Sequence, residues 1–303
     1  MNEGKVYRPV IPSRTRQLEL RGVRHHITEW GDSEAPPLVC LHGWGDCGAT
    51  FQFLVDALQS DLHVIAPDFR GFGRSEWTGP AYWFPDYLAD LDALLSSVNG
   101  DEPLLMLGHS MGGNVASLFA GVFPERVRAL INLEGVGLPD SNPDDAPAHY
   151  HRFVVDSRRS PRFTSYDSFA ELAARIRSRN PRTSEARAEF AAREWGVLQA
   201  DHQVALRMDP AHRRPNAVQY RRAEAEACWR AASAPTLLVY GEETSFLDSA
   251  PFAAWQSGAD DAVGFPNARI AAVADAGHML HFDNPAGLAE RIDDFLAQAV
   301  DPL

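Results

Sequence analysis

An α/β fold is predicted for this chain: a mostly parallel central sheet with helices on both faces and an inserted helical segment. Three observations predict it. Short apolar runs of strand length recur at 38–41, 62–66, 103–107, 129–133, 236–240 and 268–273, mostly with helix-patterned stretches between them. From 137 to 232 that rhythm stops, and arginine-rich helical stretches replace it. The run Gly108-His109-Ser110-Met111-Gly112 stands where one apolar strand hands over to a helix.

Taken in order, alternating apolar residues at 17–20 and 23–29 predict two antiparallel strands joined by a turn at Arg21-Gly22. The strand at 38–41 ends at His42-Gly43, and the one at 62–66 ends at Pro67-Asp68, with helical spacing over 51–58 between them. Residues 82–98 predict an amphipathic helix with Tyr87, Leu88, Leu91, Leu94 and Leu95 on its apolar side. Strand 103–107, helix 111–123 closed by Pro124, and strand 129–133 follow. Residues 139–147 are rich in Pro, Asp, Ser and Asn and read as a linker. Helices are expected near 168–178, 184–195 and 217–231, with no strand among them. Strands 236–240 and 268–273 and a helix at 286–299 complete the pattern. The reading is a core of residues 1–136 plus 233–303 with a helical cap at 137–232.

Composition narrows the function. The 303 residues are 45% hydrophobic and 23% charged, an ordinary globular balance. The net charge of −13 argues against a nucleic-acid partner, because phosphate binding needs a basic surface. Residues 137–232 run against that balance, with 16 arginines and 13 acidic residues. The bland account is a solvated helical surface, and an anion site is the sharper alternative. Cys40, Cys47 and Cys228 are odd in number and lack metal-ligand spacing, so reduced thiols and a cytoplasmic location are expected. There is neither an apolar leader nor a membrane-span-length apolar run. The oligomeric state stays open.

The chemistry centres on Ser110. Glycines two residues either side allow a sharp strand-to-helix turn, which lifts the hydroxyl above the sheet and aims the Met111 N–H at a bound carbonyl oxygen. A serine hydroxyl needs a base. His278 is expected in that role, since it follows the last predicted strand behind small residues. His281 and His109 compete for it, although His109 points away from Ser110 if the turn forms. His42-Gly43-Trp44-Gly45-Asp46 follows an earlier strand, and its Trp44 N–H is the expected second donor of an oxyanion hole.

His42–Asp46, the run 68–75 (DFRGFGRS), Gly108–Gly113 (GHSMGG) and 276–285 (AGHMLHFDNP), in that order, resemble the α/β-hydrolase superfamily. The likeness spans about 40–285 apart from the cap. It implies the α/β-hydrolase fold, a structural role for DFRGFGRS, and a triad that needs no cofactor and no metal. Residues 130–139 also resemble the serine hydrolase-like proteins.

The acid departs from the family's common pattern. A G-x-x-D motif after the penultimate strand often supplies it, but Gly241-Glu242-Glu243-Thr244 has threonine there. Glu134 closes the strand after the nucleophile helix, a position that resembles the acid of haloalkane dehalogenases, and it is the expected acid. Glu243 and Asp248 are the alternatives. Those dehalogenases attack with aspartate, whereas Ser110 implies acyl transfer. The expected activity is cleavage of a small or medium carboxylic ester under the cap, with Tyr150, Phe153, Trp195, Tyr220 and Trp229 as candidate pocket liners. The same triad would serve a carbon–carbon bond hydrolase, a lactonase or a perhydrolase, and a non-catalytic binding protein could keep the fold.

Overall fold

The computed structural model describes residues 6–79, 81–247, 252–253 and 264–299. Eight strands form one sheet: β1 (Arg14–Leu20), β2 (Val23–Trp30), β3 (Pro37–Leu41), β4 (His63–Pro67), β5 (Leu104–His109), β6 (Val127–Leu133), then β9 (Thr236–Gly241) and β10 (Ala268–Val273). Their spatial order is β1-β2-β4-β3-β5-β6-β9-β10. From β4 to β10 every pairing is parallel, while β1 and β2 extend one edge antiparallel. The edge strand β1 is mostly exposed and carries Arg14 and Arg16, which disfavours pairing with another chain.

The inner strands read as continuous apolar runs because both of their faces are covered. On one side, Leu91, Leu94 and Leu95 of α2 (Phe84–Asn99) and Ala116 and Phe119 of α3 (Met111–Val122) join one buried cluster. On the other, Leu288, Ile292 and Phe295 of α8 (Pro285–Ala299) pack with Leu38, Leu107 and Ile131. Burial of each such leucine or isoleucine contributes about 1.5–3 kcal/mol. Pro85 in the first turn of α2 and Gly100 (φ 62°) just beyond it bound that helix.

The expected helix at 51–58 is shorter, a 3-10 turn at Gly48–Phe51 followed by α1 (Gln52–Val55). Between β6 and β9 lie α4 (Ala146–Ser157), α5 (Phe169–Arg179), α6 (Glu185–Trp195) and α7 (Arg222–Ala231). Two features there differ from expectation. The linker-like stretch leads straight into α4, since Pro147 falls in the first turn, where proline is tolerated, and Asn142 caps the Asp144 N–H. A hairpin, β7 (Gly196–Leu198) with β8 (Val204–Leu206), also interrupts the helices. Its strands have three residues each, too few for a period-two signal.

Small residues Ala188, Ala191 and Ala192 let α6 approach α5, and their shared cluster takes in Phe53 and Phe282 of the main body. By contrast, α7 lies on α3, where a Cβ at Gly121 would strike the Cys228 carbonyl. The DFRGFGRS loop is tightly bonded. Asp68 accepts the Gly48 and Arg74 N–H groups at 2.7 and 2.8 Å, and Arg70 grips Asp90 with two bonds at 2.5 and 2.6 Å. Segments between β6 and β9 dock on this loop through Arg74–Glu194 at 2.6 Å and Asp209 N–H to the Gly71 carbonyl at 2.8 Å. No helix among the described residues is long and apolar enough to cross a membrane.

Candidate active site

Ser110 joins β5 to α3 with φ 52° and ψ −112°, a strained conformation for a residue with a side chain. Its N–H donates to the Leu133 carbonyl at 2.8 Å, and its carbonyl accepts from Asn114 at 3.0 Å. The turn needs its glycines. A Cβ at Gly108 would collide with the Gly112 carbonyl, and one at Gly112 would strike the end of β3.

Two strands away from β3, the end of β6 delivers Glu134, also at positive φ (56°) and with its side chain fully buried. Its backbone N–H donates to Val239 of β9 at 3.0 Å. Burying a carboxylate is costly unless its oxygens are bonded. Oε1 accepts the Gly241 N–H at 2.9 Å, while Oε2 accepts the Thr244 hydroxyl at 2.9 Å and faces His278 Nδ1 at 2.6 Å. Against a carboxylate, His278 carries its proton on Nδ1. That leaves Nε2 to accept from the Ser110 hydroxyl at 3.0 Å.

The structure therefore brings Ser110, His278 and Glu134 into one hydrogen-bonded series. The alternative acid Glu243 is instead half-exposed and paired with Arg182. Asp248 lies outside the described residues. Neither competing histidine bonds to Ser110. His109 Nε2 donates to the His278 carbonyl at 2.7 Å, and burial, reinforced by His281 and His278, pushes its basicity far below the ordinary histidine range. His281 is fully buried beside Asp46. Asp46, His109 and His281 each bring one potential metal-ligand atom within 4.8 Å of the others.

Trp44 and Met111 border the same cavity as Ser110 and His278. Met111 opens α3, so its N–H has no intrahelical partner. Gly43 runs so close to His109 that a Cβ would stand 2.8 Å from Nδ1.

The cavity is about 840 Å³, and its lining corrects the expected aromatics. Tyr150, Phe153, Trp195, Tyr220 and Trp229 do not line it: Tyr150 is exposed, Trp195 bonds Asp46, and Trp229 is buried against Phe265. One wall is Tyr82, Trp83, Phe84 and Tyr87, at the start of α2. The signal is in the sequence, as an aromatic run at 82–87 after the DFRGFGRS loop, but the same residues fit the apolar start of a helix. Leu138, Arg214, Asn216, Arg222 and Glu226, between β6 and β9, also line the cavity. Arg222 pairs with Glu226 at 2.7 Å, so that pair is close to neutral.

Comparison with known proteins agrees with the fold. The alpha/beta hydrolase fold family matches residues 36–285. The chain belongs to the α/β-hydrolase family. It is 32% identical over 182 residues to a serine hydrolase-like protein of Danio rerio, covering 57% of this chain and 53% of that protein. The match thus spans about half of that relative's length. It is 30% identical over 276 residues to the 3-hydroxybutyrate-oligomer hydrolase of Cupriavidus necator, covering 86% of this chain and 89% of that protein. Among solved structures, the thioesterase domain from the curacin biosynthetic pathway superposes with a TM-score of 0.82 at 25% identity, covering 93% and 99% of the two chains. The family and both relatives carry hydrolase in their names.

Proposed function

We propose that this chain cleaves carboxylic esters through an acyl-enzyme formed on Ser110. The series Ser110–His278–Glu134, at 3.0 and 2.6 Å, is the observation that carries the reading. His278 Nε2 takes the Ser110 proton as Oγ attacks the ester carbonyl. Glu134 holds the ring and stabilises the imidazolium that forms. The Trp44 and Met111 N–H groups receive the oxyanion, each such donor being worth roughly 3–4 kcal/mol of transition-state stabilisation. His278 then protonates the leaving alcohol. It next deprotonates water, which attacks the acyl carbonyl, and finally returns a proton to Ser110.

Residues 137–232 act as a cap over the pocket in this reading, supported by the cavity-lining side chains they supply. A largely apolar 840 Å³ cavity with an aromatic wall suits a small or medium ester. The oligomer hydrolase relative, whose name refers to an ester-linked hydroxy acid, supports an ester substrate.

The test is active-site labelling by a fluorophosphonate, followed by turnover of p-nitrophenyl esters of increasing chain length. Labelling at Ser110 that vanishes in Ser110→Ala is expected. Folded protein that takes no label would sink the reading in favour of a non-catalytic binding protein.

A further inference from the structure

Behind His278 lies a buried polar series that the proton relay does not use. Trp195, the last residue of α6, donates its indole N–H to Asp46 Oδ1 at 2.8 Å. The same oxygen accepts the Cys47 N–H at 2.8 Å and the Thr50 hydroxyl at 2.7 Å. Asp46 Oδ2 faces His281 Nε2 at 3.4 Å. The His281 ring lies against the His109 ring, with centroids 4.7 Å apart. His109 Nε2 closes the series on the backbone carbonyl of His278 at 2.7 Å.

Asp46, His109 and His281 are at most 4% exposed. His109 is held neutral, so its single ring proton serves the His278 carbonyl. His281 turns its Nε2 towards the Asp46 carboxylate. Groups packed this tightly have few alternative arrangements, and a buried carboxylate that loses a donor must find another. Asp46 is also two residues from Trp44 and follows Gly45, at φ 77°, so its position sets the path of the proposed oxyanion loop.

We propose that Asp46, His281 and His109 are positioning residues that couple the seating of α6 to the placement of His278 and of the Trp44 amide. The hydrolase is then fully active only when Trp195 is docked on Asp46. This rests on the Ser110–His278 reading of the site.

A double-mutant cycle tests it. Trp195→Phe keeps a ring against Phe282 and removes one N–H. His109→Leu severs the series at its other end, and His109→Gln restores an N–H able to reach the His278 carbonyl. His109→Leu is expected to slow fluorophosphonate labelling and kcat about tenfold with KM little changed, and His109→Gln to recover most of that. Trp195→Phe is expected to slow both about threefold, and the Trp195→Phe/His109→Leu pair to be no slower than His109→Leu alone, as for residues in one network. Effects that multiply, or a Trp195→Phe rate equal to the parent's, would overturn the coupling.

Amide hydrogen exchange reads the same coupling without turnover. Trp195→Phe should hasten exchange at residues 276–281 and spare 104–107. Unchanged exchange at 276–281 overturns the proposal, whether or not His109→Leu folds. Absence of label on the parent protein would instead count against Ser110 as nucleophile.

Discussion

Thr244 donates its hydroxyl to Glu134 Oε2 at 2.9 Å, the same carboxylate oxygen that faces His278 at 2.6 Å. The residue that stands where the common pattern has an aspartate thus touches the proposed acid, which comes from another strand. β6 and β9 are parallel neighbours, with Leu133 opposite Val239, so their ends emerge side by side. Moving the carboxylate from the end of one strand to the end of the next keeps it within reach of the same histidine.

Glu134→Gln should lower kcat by roughly 10³–10⁴-fold, because an amide N–H facing Nδ1 drives the ring proton to Nε2 and leaves no acceptor for Ser110. Glu243→Gln should lower it only slightly, since Glu243 pairs with Arg182 at the surface. Steady-state kinetics on a p-nitrophenyl ester, with circular dichroism as a folding control, separates the two carboxylates.

Thr244→Val should destabilise the fold by about 1–3 kcal/mol, the cost of a buried group left with a missing hydrogen bond. Thr244→Ser should keep most of the stability and the activity, because it retains the hydroxyl. Urea denaturation curves for both variants, read beside kcat, check this.

Gly112→Ala should cost about 3 kcal/mol or leave the protein insoluble. A Cβ there would stand 2.7 Å from the His42 carbonyl oxygen and closer still to that of Leu41. Both are backbone atoms, so no side chain can swing aside. The urea midpoint is the measurement.

Stability should fall between pH 6.5 and pH 4, partly through His212. Burial of this ring, stacked between Phe72 and Tyr82 at 3.8 Å on each side, lowers its pKa to about 4. In that window the unfolded chain binds a proton that the folded chain does not, so unfolding gains as pH drops. Fully expressed, the difference is about 3 kcal/mol, present above pH 6.5 and lost by pH 4. His212→Gln should flatten the decline between urea melts at pH 7 and pH 4.5. An unchanged slope would show that other groups carry it.

Much of the sheet was legible because each inner strand is a local apolar run, and the turn at Ser110 because its glycines are adjacent in sequence. The three-residue strands β7 and β8 and the helix α4 were not, since too short a run, or a helix with no fully buried residue, leaves only a weak periodic pattern. The cavity wall was missed for a related reason. Trp83 and Phe84 carry apolar character that fits a helix start and a pocket equally well.

Local order thus determined that a serine would be held in a strained turn after a buried strand, with a histidine behind the last one. What only the assembled fold decided was which carboxylate completes the series and which aromatics face the cavity. Both depend on strand adjacency and side-chain direction between residues far apart in sequence, as with Glu134 and its partners Thr244 and His278. Local pattern sets which segments bury themselves, whereas packing sets which buried side chains meet.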